Sequence, residues 1–145
     1  MTSGFELSVT SKMENLAIIC GFIGSVAKKL GLDADQTCAV QMAVDEACTN
    51  VIEHAYGGRT NGIVHITCQL VNNDVVVTIH DHGRPFDLKA VPRPDITAPL
   101  EKRQERGLGL YLMEKLMDSV EFEFDAVKGN VLTMRKRRHS EQPPL

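Results

Sequence analysis

A chain of 145 residues is long enough for one well-packed core and too short for two ordinary domains; 43% hydrophobic and 24% charged residues with no Trp describe an aliphatic globular protein. The net charge of −3 gives no overall attraction to nucleic acid or to an anionic membrane. Residues 1–138 are expected to form a single domain and 139–145 a flexible C-terminal tail. Glu6 near the start and the lack of any long uncharged apolar run point to a cytoplasmic protein that does not span a membrane. Cys20, Cys38, Cys48 and Cys68 form no C-x-x-C pair and mostly fall in apolar surroundings, so reduced core thiols are expected rather than disulfides or a zinc site.

Phe5, Leu7 and Val9 alternate with polar residues and predict an edge strand. Thr10 or Ser11 is then placed to cap a helix carrying Leu16, Ile19, Cys20, Ile23, Val26, Ala27 and Leu30 at helical spacing, with Gly31 as its stop. Gly21 and Gly24 inside it call for close packing against another element or a second subunit. Asp33 or Asp35 caps a second helix whose apolar face reads Cys38, Val40, Ala43, Val44, Ala47, Val51 and Ala55, ending at Gly57-Gly58.

Residues 63–71 and 75–80 predict two antiparallel strands joined at Asn72-Asn73-Asp74. Between Arg84 and Arg106, Pro85, Pro92, Pro94 and Pro99 break every pattern, and so long a connection in a small domain suggests a functional flap. Residues 107–117 regain helical spacing, 120–124 alternate, Gly129-Asn130 is read as a turn, and 131–134 complete a hairpin. Arg135 to Arg138 form a basic run read as a solvated strand end rather than a nucleic-acid patch. The fold class is therefore α+β, a two-layer sandwich of about three helices on one face of a mixed, mainly antiparallel sheet.

Three segments carry chemistry. Glu46 and Asn50 are four residues apart and share a helix face; a carboxamide oxygen suits Mg²⁺, and a carboxylate one turn earlier can orient a hydroxyl or water toward a γ-phosphate. The same spacing also fits a solvated face with an i,i+4 hydrogen bond. Asp81 closes an apolar strand before His82-Gly83, where a buried carboxylate needs donors such as the adenine amino group and Gly83 allows close approach; an ordinary Asp turn has the same pattern. Arg106-Gly107-Leu108-Gly109-Leu110 precedes a helix whose free N–H groups can hold phosphate, with Arg106 the best-placed cation and Lys102 and Arg103 lesser candidates. No Gly-Lys-Ser/Thr follows, so this is not a P-loop. The histidines lack metal-ligand spacing with cysteine, and no Gly-x-Ser-x-Gly elbow is present.

In order and spacing, the segment from Val44 to Tyr56 resembles the N box of the GHKL ATPase superfamily, and Asp81-His82-Gly83-Arg84-Pro85-Phe86-Asp87 and Arg106-Gly107-Leu108-Gly109-Leu110 resemble its two glycine boxes. The His54-Ala55-Tyr56 ending and the Pro85-Phe86-Asp87 sequence resemble the anti-sigma-factor serine kinases, although Pro85 stands where a full first glycine box has its second glycine. The resemblance implies a Bergerat-type ATP site: Asn50 on Mg²⁺, Glu46 as catalytic base, Asp81 reading adenine beside Gly83, Gly107 and Gly109 shaping the phosphate lid, and Thr133 as the hydroxyl near adenine. It further implies a homodimeric bacterial regulator that binds a sigma factor and phosphorylates a serine of a STAS-type anti-anti-sigma protein, without direct contact to nucleic acid. A nucleotide-gated binding module with little or no kinase turnover is the alternative.

Overall fold

The computed structural model of the chain describes residues 4–85 and 105–139. Period-two alternation produces five strands, β1 (Gly4–Thr10), β2 (Ile63–Val71), β3 (Asp74–Asp81), β4 (Ser119–Asp125) and β5 (Gly129–Arg137). Helical spacing produces α1 (Leu16–Lys29), α2 (Ala34–Asn50) and α3 (Glu105–Leu116). The sheet order is β1-β2-β3-β5-β4, so β1 is an edge as expected, and every described pair is antiparallel. The α+β sandwich stands, with no parallel pair among the described residues.

Leu7, Ile66, Ile79, Leu132 and Phe122 lie side by side across all five strands, followed by the row Phe5, Cys68, Val77, Met134 and Val120. These rows face the helices: α1 packs on β1 and β2, α3 on β4, and α2 between α1 and α3. Ile19, Ile23, Val40, Val44, Ile66 and Ile79 are all essentially inaccessible, and burying each such side chain contributes about 1.5–3 kcal/mol toward holding helices to sheet.

The ends of α1 show where local reading succeeds and fails. At its C-terminus Leu32 N–H donates to the Ala27 carbonyl and Gly31 N–H to that of Lys28, with Gly31 at φ 105°, the left-handed stop a glycine permits. At its N-terminus neither Thr10 nor Ser11 is the cap. A 3₁₀ turn over Met13–Asn15 leads in, while the buried Ser11 hydroxyl donates to the Arg59 carbonyl and accepts the Gly62 N–H, fastening the end of β1 to the approach to β2. Gly24 does pack closely, since a Cβ there would lie 2.5 Å from Gln41 Nε2 of α2; Gly21 is exposed with nothing within 4 Å.

Asp33 caps α2 with a reciprocal pair: its Oδ1 accepts the Gln36 N–H at 2.8 Å and Gln36 Oε1 accepts the Asp33 N–H at 3.2 Å. Buried Gln36 also donates to the Arg137 carbonyl at 2.7 Å, which pins the start of α2 to the end of β5. Cys38 is exposed rather than on the apolar face, because Thr37 and Val40 take the inward positions. All four cysteines are free, with Cys48 and Cys68 buried.

Asn72, at φ 56°, makes the two-residue turn between β2 and β3, closed by the Val71 and Asp74 pair. The second hairpin differs from expectation. Its turn is at 126–128, where Asp125 Oδ1 accepts the Val127 and Lys128 N–H groups, and Gly129 and Asn130 already belong to β5 opposite Asp125 and Phe124. The basic run is a strand end that is solvated only in part: exposed Arg137 pairs with Asp74 at 3.0 Å, half-buried Lys136 donates to the Leu116 carbonyl at 2.7 Å, and Arg138 is buried and donates to Asn73 Oδ1 at 2.9 Å. The bulk of the expected flap, with Lys102 and Arg103, and all but His139 of the expected tail lie outside the described residues. Among the described residues no helix is long and apolar enough to cross a membrane.

Candidate nucleotide site

Seventeen residues of α2 carry Glu46 and Asn50 toward α3 on one face, one helical turn apart. Opposite them is Gly109. A Cβ at Gly109 would sit 2.9 Å from Glu46 Oε2 and 3.8 Å from Asn50 Nδ2, so the small residue in α3 is what lets the two polar side chains lie between the helices. The glycine pair Gly107 and Gly109 is inside α3 rather than ahead of it.

Beyond Asn50 the helix widens into a π turn over Val51–Ala55, closed by the Tyr56 N–H on the Val51 carbonyl. This wider turn presents its last carbonyls to the loop after β3. Arg84 N–H donates to the Ala55 carbonyl at 2.8 Å, and Arg84 Nη2 donates to the His54 carbonyl at 2.8 Å. Buried Tyr56 completes the junction, its hydroxyl donating to the Ile63 carbonyl at 2.6 Å and accepting the His82 N–H at 2.9 Å. Gly83 is obligatory here: a Cβ would lie 2.4 Å from the Ala55 carbonyl oxygen.

Asp81 is 3% exposed at the end of β3. Its Oδ1 accepts the Gly83 N–H at 2.8 Å and the Asn130 Nδ2 at 2.8 Å. Burial pushes its carboxyl above the ordinary carboxylate value, against the lowering effects of the Asn130 and Gly83 bonds and of nearby His80 and His82. A cavity of about 420 Å³ opens over this carboxylate, walled by Asn50, His54 and Ala55 on one side, Arg84 and Pro85 on another, and Met113, Phe124, Asn130 and Leu132 on the rest. That volume is in the range of small-molecule sites, and the wall is mostly apolar with a few convergent polar groups.

The structure thus brings Asn50 and Asp81 to one cavity, with Glu46 one turn behind Asn50 against Gly109 and Gly83 shaping the turn beneath. Arg106 and Gly107 are placed by their backbone in α3, and the Arg106 side chain is outside what the structure describes. Thr133 is elsewhere: it stands between Thr78 and Glu121, in a row that includes the Thr67 and Thr78 hydroxyl pair on the sheet face opposite the helices. It is three positions from Asn130, and an odd step along a strand reverses the face. Asn130 is the β5 residue that reaches Asp81, and sequence reading missed it, although an Asn leading into an apolar strand run is itself an unusual choice. Among the described residues no group of three His, Cys, Asp or Glu side chains is placed to hold a metal ion.

A five-stranded antiparallel sheet under three helices, with an acidic strand end facing a helix-borne Asn, has the architecture of a nucleotide-binding sandwich. The family model for the histidine kinase-like ATPase domain matches residues 9–136. The serine-protein kinase RsbW of Bacillus thuringiensis (strain Al Hakam) is 34% identical over 141 residues, covering 94% of this chain and 86% of the relative, and that of Bacillus anthracis (strain A0248) is 35% identical with the same coverage. A crystal structure of the RsbU and RsbW domains of a Mycobacterium tuberculosis protein superposes with a TM-score of 0.67 at 16% identity, over 94% of this chain and 32% of that longer chain, which supports the fold. The chain belongs to the histidine kinase-like ATPase family and, within it, to the ATP-dependent serine-protein kinases.

Proposed function

We propose that the protein is an anti-sigma regulatory factor of the bacterial cytoplasm that transfers the γ-phosphoryl group of ATP to a serine of a STAS-type anti-anti-sigma partner and sequesters a sigma factor. We further propose that it works as a homodimer, without direct contact to nucleic acid or membrane, and that residues 1–138 are its single domain. The observation that carries the kinase reading is the convergence of Asp81 and Asn50 on one cavity with Glu46 beside them.

In this reading adenine enters the apolar part of the cavity and its amino group donates to Asp81, whose Oδ1 is held in place by the Gly83 N–H. The phosphates extend toward Asn50 and the first turn of α3, where the N–H groups around Arg106 and Gly107 meet negative charge. The donor set fits Mg²⁺, which takes one or two protein oxygens and completes its shell with phosphate and water; the Asn50 carboxamide oxygen would be that ligand. A bound Mg²⁺ supplies charge neutralisation on the phosphates. Glu46, held next to Asn50 by the gap that Gly109 leaves, accepts the proton of the partner's serine hydroxyl as its oxygen bonds to the γ-phosphorus and the bond to ADP breaks.

The test is incubation of the purified protein with radiolabelled ATP, magnesium and a panel of STAS-type proteins, with Asn50→Ala alongside. Label on a partner serine that disappears with Asn50→Ala is the expected result. ATP binding with stoichiometric partner capture and no label would replace the kinase with the non-turnover binding module.

A further inference from the structure

Asn130 begins a chain of observations that the proposed chemistry does not use. It is 8% exposed, sits directly opposite Asp81 in the β3–β5 register, and forms part of the cavity wall. Its Nδ2 is surrounded by three oxygens, Asp81 Oδ1 at 2.8 Å, the Arg84 carbonyl at 3.1 Å and the Gly83 carbonyl at 3.2 Å. That environment settles the orientation of the amide, because turning it over would set its oxygen against three acceptors. The other end of the amide is then conspicuous: Oδ1 is buried and has no partner among the described residues.

The consequence falls on Asp81. An ionised carboxylate offers about four lone-pair sites, two on each oxygen. Both sites of Oδ1 are taken, one by the Gly83 N–H and one by Asn130 Nδ2, and only Oδ2 has no bond among the described residues. A carboxylate with both oxygens open accepts side by side from two adjacent donors, such as N1–H and the 2-amino group of guanine. With Oδ1 filled, the sites that remain are both on one oxygen, so two parallel N–H groups cannot each meet an oxygen of their own, whereas a single donor such as the 6-amino group of adenine is accepted in full.

We infer that Asn130 is the residue that sets nucleobase selectivity, by filling Asp81 Oδ1 so that the site accepts a one-donor base edge and refuses a two-donor edge. The inference rests on the reading of Asp81 as the base-contacting group. Asn130 acts through Asp81 and is a positioning residue; its own Oδ1 is buried and has no partner among the described residues.

The experiment measures dissociation constants of ATP, GTP and ITP for the full chain and for Asn130→Ala, with Asn130→Val as a second variant of larger volume and strand preference in case Ala perturbs folding. The unmodified protein is expected to favour ATP over GTP by more than tenfold. In either variant that preference is expected to shrink at least tenfold, while ITP, which offers N1–H but no 2-amino group, gains less than GTP. Parallel weakening of ATP and GTP with their ratio unchanged within twofold would overturn the inference and reduce Asn130 to a structural tie. Asp81→Ala, measured beside them, separates the two levels: unchanged ATP affinity in that variant removes base reading by Asp81 and the inference with it.

Discussion

Replacing Asp81 by Asn separates what the residue does for binding from what it does to stability. The substituted carboxamide can still accept the Gly83 N–H and the Asn130 Nδ2 through its oxygen, so the turn after β3 keeps both of its 2.8 Å ties. What changes is the second position, where an acceptor oxygen becomes an NH₂ donor facing the amino group of adenine. Hydrogen bonds to charged groups contribute about 1.5–3 kcal/mol and an opposed pair of donors adds a desolvation cost, so ATP affinity should fall by about 2–4 kcal/mol, roughly 30- to 1000-fold in Kd. Stability should move the other way. Burial raises the Asp81 carboxyl above its ordinary value of 3.8, so the folded state binds the proton more tightly than the unfolded chain, and folding gains stability as pH falls from above the raised value toward 3.8. At neutral pH the buried charge is a cost, and the neutral Asn removes it. Calorimetric titration with ATP, together with thermal melts from pH 8 down to pH 4, should show weak binding with a Tm at pH 7 equal to or above that of the unmodified protein, and a smaller gain in stability attributable to this position as the pH falls toward 3.8. An ATP Kd within threefold of the original, or a Tm well below it, would refute the argument.

Gly109→Ala inserts a methyl 2.9 Å from Glu46 Oε2 in exchange for a better helix former worth about 1 kcal/mol, so Tm should hold or rise while phosphotransfer to a partner serine falls by about tenfold or more. Asp33→Ala removes the reciprocal cap of α2 and should lower Tm by about 2–4 °C at pH 7. The Asp33 carboxyl is held below its ordinary value first by the Gln36 N–H and also by His139, so its contribution is complete above the ordinary value and fades as pH drops through the depressed one. Melts of the two proteins should therefore converge in acid. In thiol titrations of the native protein, exposed Cys38 should react first, while Cys48 and Cys68, whose thiols burial pushes up, in Cys68 to about 12, should stay silent until denaturant is added.

Local patterns were legible where their cause is local. Gly31, the Asp33 cap, the Asn72 turn and the shared face of Glu46 and Asn50 all follow from interactions within a few residues, and each is found where the pattern puts it. Features decided by partners distant in sequence were not. Ser11 has the chemistry of a helix cap, but the bonds it makes are to residues about fifty positions away. Asn130 looks like a turn residue after Gly129 until strand order sets it against Asp81. Thr133 shows the same limit in another form: its hydroxyl suits a nucleotide site, yet the pleat turns it to the other side of the sheet. The π turn has no sequence signature in its five residues, and without it the His54 and Ala55 carbonyls would not meet Arg84 as they do.

The pairing of Asp81 with Asn130 spans 49 residues of chain. Contacts of such separation carry a loop-closure cost that local turns and helices do not, and they are a source of slow folding in sheet proteins. The base-reading corner of the cavity therefore has no precursor in a half-assembled chain: α2 or the β2–β3 hairpin alone presents only part of it. A nucleotide that needs the whole corner finds nothing to hold until β5 has docked on β3, so ATP should leave the refolding rate nearly unchanged while slowing unfolding. In the cell, the nucleotide would thus lengthen the working life of finished molecules without hastening their production.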